Sequence, residues 1–204
     1  MNISIHQIAS ADLPTRWGEF RILGFELHRH ENGEAERETG VAVVMGDLKC
    51  SAPLLRIHSQ CLTGDAFSSL RCDCGEQLQA SLAMIAEEGV GLLIYEEKEG
   101  RGIGLIAKVQ AYELQDGGCD TIEANERLGY RSDYRDYILP AQILHHLGIS
   151  RVRLITNNPD KIQSLTAAGI AVDERIPCET VPTEHGLRYL QTKKTQMGHM
   201  LTNV

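Results

Sequence analysis

The apolar residues in the first sixty positions fall into short stretches separated by turns. None of these stretches shows helical spacing, so they predict an antiparallel meander of strands at residues 20–22, 41–45 and 54–57. The segment 31–34 (ENGE) carries an Asn-Gly pair among charged residues. It therefore predicts a hairpin turn or loop.

From residue 77 onward, helical spacing alternates with short apolar strands. Leu78 and Ile85 share one face of a predicted helix that Gly89 ends. A later helix has Asn158 as its predicted cap and Pro159 at its first position, and it ends near residue 169. Between these two helices the pattern predicts strands at 90–95 and 152–155 and helices at 105–115 and 140–147.

Strands that alternate with helices in this way indicate a parallel portion of sheet, joined here to the antiparallel portion. We therefore predict an α/β fold with one domain over residues 1–204, in which helices flank a mixed β-sheet in layers. No internal repeat or Pro/Ser-rich linker divides the chain. The segment after about residue 184 is polar, and we expect it to be mobile.

Composition and charge narrow the class of ligand. The 204 residues are 42% hydrophobic, which supplies enough apolar surface for one substantial core. Lys and Arg total 20 against 28 Asp and Glu, for a net charge of -8. This balance argues against a general nucleic-acid surface. A polyanionic ligand would need a local basic site.

The chain also carries no sign of a membrane or export segment. No apolar run approaches the roughly 18 residues of a membrane span, and no charged-then-apolar leader precedes the body of the chain. We therefore expect a cytoplasmic protein without a membrane or nucleic-acid partner. In that setting metal binding or free thiols are favoured over disulfides for the six cysteines, which are Cys50, Cys61, Cys72, Cys74, Cys119 and Cys178.

Three of these cysteines, Cys61, Cys72 and Cys74, lie within fourteen positions. Structural zinc sites usually have four ligands, whereas three protein ligands leave a tetrahedral position open to water. Zinc lowers the pKa of that water to about 7 and so provides hydroxide at neutral pH. Spacing alone leaves open a second interpretation, in which the three thiols are buried and only pack. It also leaves open whether His58 is a fourth ligand or a core histidine.

The cysteines belong to a series of blocks that resembles the GTP cyclohydrolase II family. Residues 56–65 (RIHSQCLTGD) and 71–75 (RCDCG), followed by Gln77, are similar to the zinc-site signature of that family. Several blocks in family order are much less probable by chance than one motif. The further blocks are 99–105 (EGRGIGL), 120–125 (DTIEAN), 133–137 (DYRDY), 156–159 (TNNP), Lys161 and 197–199 (MGH).

The resemblance implies a specific reaction. Family members convert GTP to 2,5-diamino-6-(5-phospho-ribosylamino)pyrimidin-4(3H)-one, formate and diphosphate, the first committed step of riboflavin biosynthesis. It implies one catalytic zinc per chain on Cys61, Cys72 and Cys74, whose hydroxide adds to C8 of guanine and later hydrolyses the formamide. It also implies magnesium on the substrate triphosphate and a homodimer.

Three catalytic residues follow from the resemblance. Tyr112 would orient water or donate a proton to the opening ring, although its place beside Leu105 and Val109 also fits core packing. Asp133 is implied as a proton acceptor and Arg135 as a nucleophile toward the α-phosphorus. Arginine stays protonated up to about pH 12, so a bidentate clamp on phosphate is the alternative role of Arg135. The pair is also open to interpretation as a surface ion pair worth little.

The resemblance implies substrate binding by twelve residues. One of these groups has independent support, and for the other, residues 99–101, an ordinary loop turn is the alternative interpretation. Residues 156–161 follow an apolar strand and open a helix, where amides and the helix dipole favour phosphate. The Glu99 carboxylate suits guanine N1 and N2, and Gly100 permits close backbone approach. The implied residues are Arg56, Ile57, His58, Ser59, Gln60, Gln77, Glu99, Gly100, Arg101, Thr121, Thr156 and Lys161.

Two positions depart from the family pattern. Gln60 stands where many members have glutamate, and Arg131-Ser132 replaces a Pro-Ala-like pair before Asp133. Two alternative functions therefore stay open. The first is a variant that opens GTP but stops before deformylation, or that serves another guanine-derived pathway. The second is a non-catalytic zinc-thiolate or nucleotide-binding module.

Overall fold

The computed structural model describes residues 2–31, 34–49, 52–131 and 133–204. A short 3-10 turn lies at Glu99–Gly102. The strands are β1 (Asn2–Thr15), β2 (Gly18–Glu31), β3 (Glu34–Met45), β4 (Leu54–Ser59), β5 (Gly91–Glu96), β6 (Arg151–Ile155) and β7 (Ala171–Ile176). The helices are α1 (Leu62–Asp65), α2 (Cys74–Glu88), α3 (Leu105–Asp116), α4 (Thr121–Arg127), α5 (Ile138–His146), α6 (Pro159–Ala167) and α7 (Leu187–Met197).

All seven of these strands form one mixed sheet, in the order β1-β2-β3-β5-β4-β6-β7. The first part is antiparallel from β1 to β5, with Gly40 of β3 opposite Glu96 of β5. The second part is parallel, with Leu54 of β4 opposite both Gly91 of β5 and Arg153 of β6. The predicted α/β fold with a mixed sheet is confirmed.

The prediction was wrong for the pairing of residues 54–57. They form β4, which lies between β5 and β6 and pairs in parallel with both instead of extending the antiparallel meander. The reason is the connection from β4 to β5 through α1 and α2, because a helical crossover returns the chain in the same direction. The predicted turn at Asn32-Gly33 lies outside the described residues, between Glu31 and Glu34, which are opposite each other in register.

The predicted helix boundaries agree with the structure where local capping chemistry defines them. Gly89 ends α2 with φ of 76°, and its amide donates to the carbonyl of Ile85 at 3.0 Å. The Asn158 side chain caps α6 by accepting from the amide of Asp160 at 2.9 Å, and Pro159 takes the first position. These caps act over a few residues, so the sequence is sufficient to predict them.

Hydrophobic clusters on the two faces of the sheet form the core. On β4, Leu55 and Ile57 face the cluster that includes Leu139 and Ile143 of α5. Leu54 belongs to the opposite cluster with Ile85 of α2. Because side chains alternate along a strand, Arg56 shares the α2 face with Leu54. This alternation brings polar residues of β4 toward the cysteines at the start of α2.

The segment after residue 184 contains helix α7, in which Leu190, Thr192 and Lys193 are buried. Its mobility stays a prediction. Within the described ranges, no helix combines the length and the apolar character needed to span a bilayer.

Candidate active site

The main pocket lies at the carboxyl ends of the parallel strands. Ligand sites in α/β sheets form at this edge because the loops that follow the strands meet there. Ser59 at the end of β4 and Thr156 just after β6 both line it. Tyr189 and Lys193 of α7 and the nearby His199 also line it.

Three cysteine sulfurs form a cluster in the wall of this pocket. The Sγ atoms of Cys61, Cys72 and Cys74 lie within 4.8 Å of one another, and the Cys61 and Cys72 sulfurs are 3.6 Å apart. A tetrahedral zinc with Zn–S bonds of about 2.3 Å would place its sulfurs about 3.8 Å apart. The donor set therefore fits a thiolate-binding metal ion. These three residues, Cys119 and Cys178 are free thiols, and Cys50 lies outside the described residues.

Gly64 and Gly75 allow the three cysteines to approach one another closely. A Cβ atom on Gly75 would lie 2.2 Å from the carbonyl oxygen of Gly64, which no side chain tolerates. A Cβ atom on Gly64 would lie 3.0 Å from the Cys72 sulfur and 3.3 Å from the Cys61 sulfur. The start of α2 therefore packs directly on α1, and this contact brings the cysteines of the two segments together.

Hydrogen bonds among the three sulfurs shift the pKa values of the thiols in different directions. Hydrogen bonds from Cys72 and Cys74, and then the charge of Lys108, lower the pKa of Cys61 far below its ordinary value against the opposing effect of burial. The contact with Cys61 raises the pKa of Cys72 to about 11. These contacts therefore favour the thiolate form at Cys61 more than at Cys72. A thiolate is the form that binds a metal ion.

His58 is a core histidine in this structure. Its Nε2 lies 3.0 Å from Asp65 Oδ1, and its ring stacks on Tyr95 with centroids 5.5 Å apart. Asp65 also accepts a hydrogen bond from the Cys61 amide at 3.0 Å. Burial lowers the pKa of His58, so the ring is neutral near pH 7. Within the described part of the chain, the group that could hold a metal ion consists of the three cysteines, and His58 contacts it through Asp65.

A buried lysine connects the cysteine cluster to Glu99. Lys108 Nζ lies 3.1 Å from Cys61 Sγ, 3.0 Å from Thr63 Oγ1 and 2.7 Å from Glu99 Oε1. The other Glu99 oxygen accepts from the Leu62 amide at 2.7 Å. Metal ligand, lysine and carboxylate therefore form one connected network.

Tyr112 also lines the pocket. Its hydroxyl lies 3.2 Å from Thr63 Oγ1, and the Arg71 guanidinium is 4.8 Å from its ring centroid. Val109, which the sequence placed on the same apolar face, is 50% exposed. The face of α3 that is buried consists instead of Ala107, Lys108 and Ala111.

Buried polar contacts link β4 to the loop of residues 66–73 between α1 and α2, which carries Cys72 and Asp73 and is called the cysteine loop here. Arg56 Nη2 donates to Gln77 Oε1 at 2.6 Å, and Nη1 donates to the carbonyl of Ile155 at 3.1 Å. Gln77 Nε2 donates in turn to the carboxylate of Asp73, which lies between two of the cysteines in the sequence. No individual contact of Gln77 was predicted from the sequence. Its structural role is to join Arg56 to the cysteine loop.

Arg135 forms an ion pair with Asp133 at the pocket wall. Arg135 Nε lies 2.9 Å from Asp133 Oδ1, and Nη1 donates to Ser59 Oγ at 3.4 Å. The side chains are 12% and 24% exposed, so this is not a solvated surface pair. Burial opposes the charge of Arg135, but the contacts with Asp133 raise its pKa above the ordinary value. The guanidinium is therefore protonated at all physiological pH values.

Lys161 and Thr156 lie on the loop and helix that follow β6, as the sequence predicted. Lys161 is buried, and its Nζ donates to the carbonyl of Ile57 at 2.7 Å. Burial, followed by the charges of Arg56 and Arg135, lowers the pKa of Lys161 well below its ordinary value. Several cations therefore crowd this side of the pocket.

Most of the residues that the sequence predicted for substrate binding come together here. Ile57 does not line the pocket, because its side chain is fully buried in the core. Asp133 also lies behind the lining and connects to it through Arg135. The predicted substrate-binding residues that do line the pocket are Arg56, His58, Ser59, Gln60, Gln77, Glu99, Gly100, Arg101, Thr121, Thr156 and Lys161.

The lining is strongly cationic although the chain has a net charge of -8. Glu99 is the one carboxylate among the described residues that line the pocket. This charge suits a polyanionic ligand and agrees with the local basic site that the composition requires. The eight cationic lining residues are Arg56, Arg71, Lys98, Arg101, Lys108, Arg135, Lys161 and Lys193.

The sequence analysis missed Lys108, Tyr189 and Lys193. Lys108 had a local signal, because it lies four residues before Tyr112 and so on the same side of α3. No local signal marked Tyr189 and Lys193, which belong to the segment expected to be mobile.

Comparisons with known proteins agree with the blocks found in the sequence. The model of the GTP cyclohydrolase II family matches residues 6–177. The chain is 51% identical over 200 residues to GTP cyclohydrolase-2 of Pseudomonas paraeruginosa, covering 98% of this chain and 95% of the relative. GTP cyclohydrolase-2 of Pseudomonas aeruginosa is 52% identical with the same coverage. Riboflavin biosynthesis protein RibBA of Chlorobium phaeovibrioides is 47% identical over 199 residues, covering 97% of this chain and 47% of the relative.

Proposed function

The chain belongs to the GTP cyclohydrolase II family, the hydrolases that act on GTP in riboflavin biosynthesis, and we propose that this chain hydrolyses GTP at this pocket with zinc on its three cysteines. The proposed products are 2,5-diamino-6-(5-phospho-ribosylamino)pyrimidin-4(3H)-one, formate and diphosphate. One observation carries the proposal. A cluster of three thiols and eight cationic side chains share one pocket, and opening a guanine ring on a triphosphate needs both.

Zinc on the cysteine cluster, when bound, supplies an activated water for the two hydrolytic steps at guanine C8. The chain's own residues prepare the cluster for it. The Lys108 ammonium stabilises the Cys61 thiolate, and Asp65 fixes the backbone of the same residue through its amide. Tyr112 Oη lies one hydrogen bond from Thr63, beside the cluster, where it orients water or donates a proton to the opening ring.

Glu99 is the proposed partner of guanine N1 and N2. Its Oε1 accepts from Lys108 and from the Gly100 amide, and its Oε2 accepts from the Leu62 amide. A carboxylate has about four acceptor positions, so about one remains, on Oε2, for an N–H of the base, and binding of both N1 and N2 requires one of the present donors to move. Three donors hold the carboxylate in one orientation, which favours a base that presents N–H groups.

Arg135 is proposed as a clamp on the substrate phosphates rather than as a nucleophile. Its protonated guanidinium has no lone pair to attack phosphorus, but it can donate two hydrogen bonds to phosphate oxygens. Asp133 orients it from behind. The neighbouring Arg56 holds the rest of the triphosphate together with Lys161, whose ammonium form the phosphate charge favours, and magnesium offsets the charge that remains.

A homodimer is part of the proposal. Helix α3 exposes two apolar side chains three residues apart on one face, with Ile106 at 73% and Val109 at 50% exposure. Apolar side chains exposed together on one helix face are typical of an interface. Their position on the helix that carries Tyr112 and Lys108 would bring the partner close to the active site.

The test is an assay of the purified protein with GTP, magnesium and zinc that follows formate, diphosphate and the pyrimidine product together. The Cys61→Ser variant should lose formate release and bound zinc while keeping its fold, and the Cys119→Ser variant is the control because Cys119 is buried away from the pocket. Loss of the whole fold in Cys61→Ser would instead indicate a structural metal.

The same assay separates the two alternatives. GTP consumption without formate would indicate a variant that stops before deformylation. Stoichiometric metal and tight GTP binding without any loss of GTP would overturn the enzymatic proposal in favour of a binding module.

A further inference from the structure

The carboxyl-terminal segment contributes to the pocket although it lies beyond residues 6–177, the part of the chain that the family model matches. Tyr189 and Lys193 of α7 and the nearby His199 all line the pocket. His199 belongs to the block 197–199 that carries the resemblance, whereas Tyr189 and Lys193 are in none of the blocks, and the resemblance implied a substrate-binding role for none of the three. The lining of the pocket therefore includes residues from beyond residue 177.

Specific contacts hold this segment in place. Gly198 ends α7 with φ of 64°, and the His199 amide donates to the carbonyl of Lys193 at 3.0 Å. The Met200 amide donates to the carbonyl of Asn157 at 2.8 Å, on the loop that follows β6. The chain after α7 is therefore fastened to the same loop that carries Thr156.

Lys193 is the residue of α7 that brings a charged side chain into the lining of the pocket. It is buried, and its Nζ donates to Asp73 Oδ1 at 3.0 Å. Asp73 also accepts from Gln77, so Lys193 is the last member of the polar chain that begins at Arg56. An ammonium group has three donors, and Asp73 is the acceptor it has among the described residues. Two donors therefore remain for a ligand in the pocket.

The surroundings of Lys193 contain more positive than negative charge. Its Nζ lies 4.3 Å from the centroid of the Tyr189 ring, and the guanidinium of Arg101 lies 5.8 Å from the same ring. Arg101 Nη2 is buried without a hydrogen-bond partner in the described part of the chain. Burial and then the charges of Lys193 and Arg135 lower the pKa of His199 to about 3, so this histidine adds no charge at neutral pH. An anion placed here would meet unused donors of both Lys193 and Arg101.

We propose that residues 187–201 form one wall of the GTP site and that Lys193 binds the substrate phosphates while it holds Asp73. Lys193 and Arg101 both lie close to the Tyr189 ring, and Leu190 and Leu201 of the same segment are buried. This inference rests on the proposed function, because it takes GTP as the ligand of the pocket.

A purely structural role for Lys193 makes a different prediction. If its ammonium only neutralised Asp73, its loss would disturb the loop that carries Cys72 and Cys74, and bound zinc would fall. If it also binds phosphate, its loss weakens the binding of any triphosphate in addition to any effect on bound zinc. Inorganic triphosphate separates the two roles, because it has no base to interact with the cysteine cluster.

The experiment measures the dissociation constants of GTP and of inorganic triphosphate by titration calorimetry on the zinc-loaded full chain, together with bound zinc and melting temperature. Lys193→Gln should weaken both ligands by about 10-fold or more, the scale of a lost charge-assisted hydrogen bond. Lys194→Gln is the matched control, since this exposed lysine is the next residue on the same helix. It should stay within about twofold of the unmodified chain for both ligands.

Lys193→Arg keeps the charge and should retain most of the affinity for both ligands. If Lys193→Gln is unstable, the dissociation constants of Lys193→Arg decide whether the inference holds. Unchanged triphosphate affinity in a folded Lys193→Gln variant would overturn the inference, whether or not its zinc is lost. A chain that binds GTP but releases no formate would overturn the proposed function and leave this inference in place.

Discussion

The Lys108 ammonium lies 3.1 Å from the sulfur of Cys61 in the buried part of the site. The same nitrogen donates to Glu99 Oε1 at 2.7 Å. One cation therefore stabilises both a proposed zinc ligand and the proposed guanine acceptor. The two functions of the site, metal binding and base recognition, depend on each other through this contact.

Replacement of Lys108 by methionine should weaken both functions. Zinc affinity should fall about 10-fold or more, as is typical when a group that supports a metal ligand is lost. The variant should also distinguish GTP from ITP less well, because Glu99 loses its strongest donor. Competition with a zinc chelator and relative turnover of the two nucleotides measure these effects. Lys49→Met, at an exposed position, is the control, and unchanged zinc affinity in Lys108→Met would contradict the prediction.

Replacement of Gly75 by alanine should open the cysteine cluster. The added Cβ atom would lie 2.2 Å from the Gly64 carbonyl, so α1 and α2 must move apart. We expect zinc affinity to fall by at least about 10-fold. Metal analysis after dialysis against a weak chelator checks this. Gly24→Ala is the control because its Cβ would meet only ordinary contact at 3.9 Å, and equal zinc retention in both variants would show that the close approach is unnecessary.

Replacement of Arg135 by lysine should slow diphosphate release by about 100-fold while zinc binding stays normal. Lysine keeps the charge but loses the bidentate geometry that a phosphate clamp needs. Single-turnover measurement of diphosphate tests this. Arg37→Lys, at a largely exposed position, serves as the control. Near-normal diphosphate release from Arg135→Lys would contradict both the clamp and the nucleophile.

Asp136 should make protein stability depend on pH below about 4. Burial opposes its ionisation, but hydrogen bonds and charges from Arg29 and Lys98 lower its pKa from 3.8 to about 2. A lowered pKa in the folded state contributes stability that is present above pH 3.8 and is lost as the pH falls toward 2. Its side chain is 41% exposed, so solvent screening limits the contribution to about 1 kcal/mol.

Urea unfolding of Asp136→Asn at pH 7 and near pH 3 measures this contribution. The variant should be less stable than the unmodified chain at pH 7, and the difference should shrink near pH 3. Asp12→Asn, on the exposed part of β1, is the control. A difference in stability that is the same at both pH values would exclude the proposed linkage.

Replacement of Ile106 by glutamate should weaken the proposed homodimer, because a charge would enter an apolar contact. Light scattering over a range of protein concentrations would show the shift to monomer. Ile8→Glu is the matched control, since Ile8 is 61% exposed on β1, outside the α3 face. Equal masses for both variants would place the dimer contact elsewhere.

The parts of the fold that local chemistry decides were predictable. Gly89 ended α2 and Asn158 began α6 because helix caps depend on a few adjacent residues. The parallel pairing of β4 with β6 was not predictable, since Leu54 and its partner Arg153 are far apart in the chain. Periodicity predicts that a strand exists, but it gives no information about the neighbour of that strand.

The sequence by itself determined the three cysteines, the order of the family blocks and most of the residues around the pocket, because these are properties of residue type and spacing. The tertiary structure decided which of them act together. It placed Lys108 against Cys61, His58 on Asp65, and Lys193 on Asp73 from 120 residues away. Burial and charge are sums over neighbours from distant segments, and folding is the step that brings those neighbours into contact.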